Sequence, residues 1–117
     1  MRQMSFSKTI PQMRDRTKTV TRRVGTWNDL QPGTRLMAVE KAQGLAKGEK
    51  VRRIGAIEVT HVRREMLFEV TMADIAREGF PDMGRQEFYQ LFDSDDGDLV
   101  VNRIQFVHLS GIGGDDE

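Results

Sequence analysis

The segment that most constrains the fold runs from Arg53 to Arg64. In an extended chain Ile54, Ala56, Glu58, Thr60 and Val62 fall on one side, and Gly55, Ile57, Val59, His61 and Arg63 on the other. Both sides are partly apolar. A strand of that kind has to be covered on both faces, as strands are when a small sheet curls into a barrel. With 117 residues there is room for one domain. The remaining elements must therefore be built around this strand.

Four further segments read as strands: Met4 to Phe6, the Thr- and Val-rich Lys18 to Val24, Thr34 to Lys41, and Leu99 to Leu109. In the last of these Val101, Arg103, Gln105 and Val107 oppose Val100, Ile104, Phe106 and His108 after one adjustment of phase. Pro32-Gly33 supplies the fixed and the permissive backbone angles of a type II turn. Gln43 to Lys50, with two glycines, reads as an exposed loop. Helix signals are short. Thr9 is a candidate N-cap before Pro11 and Met13, in a turn ending near Arg16. Thr71 caps a helix from about Met72 to Arg77, Asp74 imitates a capping box, and Gly79 lies just past the end. Arg85 to Phe92 forms a second helix that buries Phe88, Leu91 and Phe92. The strands are separated by turns and one helical excursion, not by regular crossover helices. The expected class is α+β: a small mixed β-barrel with one or two packed helices, spanning residues 1–110. A Gly- and acid-rich tail, 111–117, is expected to fray.

Composition removes several function classes. The chain has no cysteine, which excludes disulfides, thiolate metal sites and a cysteine nucleophile. The only histidines, His61 and His108, show no metal-binding spacing, so no metal site is expected. No apolar run approaches a membrane span, and the first ten residues lack the apolar stretch of a signal peptide. A cytoplasmic location follows as the simplest expectation. The formal net charge is zero, but it is unevenly placed. Seven Lys or Arg and one acid, Asp15, lie between Arg2 and Arg23, whereas four aspartates crowd Asp93 to Asp98. Such a balance argues against tight non-specific DNA binding, yet a local basic patch can still hold a few phosphates.

The densest polar cluster is Asp15 to Arg23. If Lys18 sits at a bend, its amine can reach Thr21. A desolvated lysine can lose its proton near neutral pH and serve as a base, and a threonine beside it can serve as a nucleophile. The competing interpretation is a solvated basic strand edge. Glu78 stands at a helix C-terminus, where the helix dipole disfavours an acid. That placement marks either a site or a merely exposed side chain. Glu58 and Glu65 are expected to pair with arginines. Trp27 is either a base-stacking platform or a core-rim residue. The glycines match no phosphate-binding pattern.

The run Phe6-Ser7-Lys8-Thr9-Ile10-Pro11-Gln12-Met13 and then Lys18-Thr19-Val20-Thr21-Arg22-Arg23 resembles the start of ASCH domains, which carry Gly-x-Lys-x-x-Thr-x-Arg. Lys18, Thr21 and Arg23 match that motif, while Arg16 stands where it has glycine. The likeness continues through Leu30-Gln31-Pro32-Gly33, Ile57-Glu58-Val59, Glu78-Gly79-Phe80-Pro81 and Asn102-Arg103-Ile104-Gln105-Phe106, in the order found in small phage and prophage members. The resemblance implies a PUA-like barrel with a basic cleft beside the first helix that faces RNA or a modified nucleoside. In this chain Arg16, Arg22, Arg23 and Trp27 are the expected binding residues. One branch of the family hydrolyses N4-acetylcytidine to cytidine and acetate. By that likeness Thr21 would be the nucleophile, Lys18 its activating base and Glu78 an aid to proton transfer, with no metal or organic cofactor. A binding module without catalysis is an equal alternative. Ribonuclease activity is a weaker one, because no acid–histidine pair is suggested. Oligomeric state is left open.

Overall fold

A computed structural model describes residues 1–109; the expected tail, 111–117, lies outside them. Five strands form one sheet in the order β1-β3-β4-β5-β2. They are β1 (Gln3–Ser5), β2 (Val20–Arg23), β3 (Arg35–Val39), β4 (Arg53–Met66) and β5 (Val100–His108). The helices are α1 (Ile10–Arg14), α2 (Met72–Arg77) and α3 (Arg85–Gln90), with a 3-10 turn at Leu67–Glu69. Each expected strand and helix is present. β1 pairs parallel with β3, and the other ladders are antiparallel.

The expected barrel is not closed. β1 and β2 remain the two sheet edges, and no backbone ladder joins them. Side chains span the seam instead. The Arg23 guanidinium on β2 donates to the Ser5 carbonyl of β1 at 2.7 Å and lies over the Phe6 ring at 4.7 Å. The three residues of β1 pair with β3 alone, and the seam is left for side chains to line.

The two-sided apolar pattern of β4 has a local cause. Its register against β5 shifts between Val59 and His61, a bulge at Thr60. Ile57 and Val59 precede the bulge, and Val62 follows it at the opposite parity. All three nevertheless pack on one cluster with Phe6, Met13, Leu36 and Phe106. A second cluster lies between the ends of β4 and β5 and the helices, around Leu67, Ile75, Phe88 and Val101. β5 serves both clusters, with Asn102 and Arg103 buried between them.

The local expectation holds in detail at the Pro32-Gly33 turn. The Thr34 amide donates to the Gln31 carbonyl, with Gly33 at φ +93, the type II turn that Pro32-Gly33 implies. Arg16, where the family motif has glycine, takes φ +66. The backbone makes a left-handed turn before Lys18 despite the missing glycine and accepts the strain of a side chain there. Arg16→Gly is therefore expected to raise stability by about 0.5–1 kcal/mol, the strain relieved less the added freedom of the unfolded chain. Chemical denaturation measures this directly.

Candidate functional site

The seam between β1 and β2 opens into a cavity of about 260 Å³. Ser5, Phe6, Lys8 and Thr9 form one wall, and Lys18, Thr21, Arg22 and Arg23 form the second. Glu78, Phe80, Phe88, Leu91 and Phe92, from the α2–α3 region, close the third side. The cavity thus combines aromatic and charged side chains, the usual mixture in a small-ligand site.

Lys18 reaches it because the chain bends before β2. The Lys18 amide donates to the Gln12 carbonyl, the Thr19 amide to the Arg77 carbonyl, and His108 Nε2 lies 2.7 Å from the Lys18 carbonyl oxygen. The side chain then turns inward and is only 3% exposed. Its ammonium donates to the Glu78 carbonyl at 2.7 Å and to Glu78 Oε1 at 2.9 Å. Two of its three donors are occupied, which leaves one for a ligand. Burial pushes the Lys18 amine down. The Glu78 charge opposes that shift, and the Arg23 and Arg22 charges add to it.

Glu78 is placed by Gly79, whose φ is +107. A Cβ at Gly79 would stand 2.9 Å from Gln12 Cγ, and the Gln12 side-chain amide donates to the Gly79 carbonyl at 3.0 Å. α1 and the end of α2 therefore lock together beside the Lys18–Glu78 pair. Gly79→Ala combines a left-handed backbone with that clash and should cost about 2 kcal/mol, readable as a lowered Tm.

Behind the cavity lies a buried charge network. Arg22 Nη1 donates to Glu78 Oε2 at 3.1 Å, while its Nη2 and Nε reach Glu65 Oε2 at 2.7 and 3.0 Å. Arg22 Nη2 also donates to Asp74, which accepts from Arg103 and Arg77 as well. Burial pushes the Asp74 carboxyl up, but the bonds from Arg103 and Arg22 outweigh it and hold the group well below the usual carboxylate range. Thr71 caps α2 as expected, its hydroxyl accepting from the Asp74 amide at 3.1 Å. The Asp74 carboxylate does not complete a capping box, since the arginines claim it. Glu65 pairs with the neighbouring Arg63, as expected, and also with Arg22. Glu58 pairs with Arg35 at 3.0 Å, at the surface and not in the interior.

Lys18, Thr21, Arg22, Arg23 and Glu78 are thus gathered at one cavity. Thr21 is buried, and its hydroxyl accepts from Arg23 Nε at 3.0 Å. Arg16 and Trp27 stand elsewhere. Arg16 lines a separate small pocket of about 70 Å³ with His108 and Gly55, whereas Trp27 packs on the first cluster beneath the Arg2 guanidinium at 4.1 Å. Asp74 and Arg103 escaped the sequence reading because their partners lie far away in the chain. Thr9, taken for an N-cap, makes no side-chain cap and lines the cavity instead. Among the described residues no group of three or more His, Asp or Glu could hold a metal ion. No helix among them is long and apolar enough to cross a membrane.

No protein-family model and no curated protein matches this chain. A solved structure does: the crystal structure of an ASCH domain from Lactobacillus crispatus, with a TM-score of 0.59 and 16% identity over 91% of this chain and 77% of that one. At that identity the likeness speaks for backbone architecture. Through this match, the mixed five-stranded sheet with its three short helices is identified as the ASCH-domain fold.

Proposed function

We propose that the seam cavity binds the base of RNA or of a modified nucleoside, and that Thr21, Lys18 and Glu78 hydrolyse an acylamide on it, as in N4-acetylcytidine. One observation carries the reading: these three residues, expected from the family resemblance alone, line the same cavity as the aromatic side chains of Phe80, Phe88 and Phe92. A flat base stacks on such a wall, and the polar side meets its exocyclic group.

In this mechanism Thr21 Oγ1 attacks the acyl carbonyl. Its hydroxyl already accepts from Arg23, so its proton is free to be donated. The neutral form of Lys18 takes that proton, after passing its own to Glu78 Oε1, 2.9 Å away. The amide C–N bond then breaks, and the amine of the base leaves with the proton held by Lys18. Neutral Lys18 then takes a proton from water, the hydroxide cleaves the acyl-threonine ester, and Lys18 returns that proton to Thr21; acetic acid leaves and ionises in solvent, and Glu78 gives its proton back to Lys18. The test is turnover: purified protein is incubated with N4-acetylcytidine and cytidine is followed by chromatography, with Lys18→Ala as the control. Cytidine release that vanishes in the variant supports hydrolysis.

A second reading has its own support. The Lys18–Glu78 ion pair holds Lys18 as an ammonium at rest, and Lys18 makes no hydrogen bond to Thr21. That arrangement suits a binding module in which Lys18 donates to a base carbonyl. No turnover at high protein concentration, together with measurable affinity for the nucleoside, would decide for it. Ribonuclease activity lacks comparable support, as neither His61 nor His108 lines the cavity.

A further inference from the structure

The charges on the cavity wall do not cancel. Lys18 is paired with Glu78, and Arg22 is shared among Glu65, Asp74 and Glu78. Arg23 has no carboxylate partner among the described residues. Its acceptors are two neutral oxygens, Thr21 Oγ1 and the Ser5 carbonyl. A guanidinium has five N–H donors; these acceptors occupy two of them, and Arg23 lines the cavity. Burial lowers the Arg23 guanidinium to about 10, opposed only by the field of Glu78. Lys8, exposed at the rim of the same cavity, also lacks a carboxylate among the described residues and touches only the Leu91 carbonyl, at 3.4 Å. Two cations without counterions among the described residues therefore line one opening together with Phe80, Phe88 and Phe92.

A neutral nucleoside would leave both charges uncompensated. A phosphoryl group matches them in charge, and the flat fork of Arg23, held in place by Phe6, suits two phosphate oxygens. We propose that the cavity takes a phosphorylated nucleoside, its phosphoryl group bound by Arg23 and Lys8, in preference to the bare nucleoside. This rests on the reading that the ligand carries a base. The phosphate can belong to a free nucleotide or to a strand.

The test is calorimetric titration of the full chain, at fixed ionic strength, with N4-acetylcytidine, its 5′- and 3′-monophosphates, a short oligoribonucleotide containing it, and inorganic phosphate. A monophosphate is expected to bind at least about tenfold more tightly than the nucleoside. Arg23→Gln should reduce that advantage to within about threefold, and Lys8→Gln, at an exposed position that leaves the fold intact, should reduce it in part. Tighter binding of the oligoribonucleotide than of either monophosphate assigns the phosphate to a strand, and the reverse assigns it to a free nucleotide. Equal affinities for nucleoside and monophosphates, or a phosphate advantage that survives both variants, overturn the proposal while the base reading stands. Arg23-dependent binding of inorganic phosphate that no base improves would overturn the base reading and uphold the phosphoryl site. Binding of no probe overturns both.

Discussion

Asp74→Ala is expected to destabilise the protein by about 3–5 kcal/mol, the cost of removing one partner from a buried charge network. Arg22 and Arg103 both direct N–H groups at this carboxylate, and Arg22 is 3% exposed. Without Asp74 the buried positive charges of Lys18, Arg22 and Arg103 face only Glu65 and Glu78. A domain of this size is stable by only about 5–15 kcal/mol, so the variant should melt far below the wild type or fail to fold at all. The same carboxylate sets an acid limit. Its folded value lies below the ordinary 3.8, so its contribution is fully present above that pH. It is lost as the pH falls from 3.8 towards the depressed folded value, because the unfolded chain then takes up the proton first. Denaturation midpoints measured from pH 6 downward should show the loss. An unfolding free energy for Asp74→Ala within about 1 kcal/mol of wild type would show that the network contributes little.

Thr21→Val is expected to lower turnover of N4-acetylcytidine by at least about 10³-fold while changing affinity by no more than about threefold. The substitution keeps the branched shape at a buried position and removes only the hydroxyl. It also leaves Arg23 Nε without its acceptor, worth about 1 kcal/mol of stability. Thr21→Ser keeps the nucleophile and should retain measurable activity. A purely structural role for the hydroxyl predicts the same loss of stability in Val but with turnover retained. In the binding-module reading no turnover exists to lose, and affinity alone would report on the change.

The two predictions concern groups that differed in how far the sequence revealed them. Lys18, Thr21 and Glu78 were visible because they sit in short motifs beside a bend or a helix end. Asp74 looked like part of a helix cap, and Arg103 like one more strand residue. Their importance comes from partners 52 and 29 residues apart in the chain, at Arg22–Asp74 and Asp74–Arg103. Local pattern carries no signal for contacts of that range.

The sequence by itself determined the elements. Alternation, the Pro32-Gly33 turn, the Thr71 cap and Gly79 locate the five strands and the two later helices, because each depends on neighbours within a few residues. Backbone preference is a local property. Tertiary structure alone decided that the Thr60 bulge turns Val62 onto the same cluster as Ile57, that the barrel stays open between β1 and β2, and that Arg16 and Trp27 stand away from the cavity that Thr9 lines. It also decided which cations are neutralised. Arg22 and Arg23 are adjacent in the chain, yet one is enclosed by three carboxylates and the other faces the cavity without one. Side-chain charge is written in the sequence, but its compensation depends on what folding brings within hydrogen-bond distance.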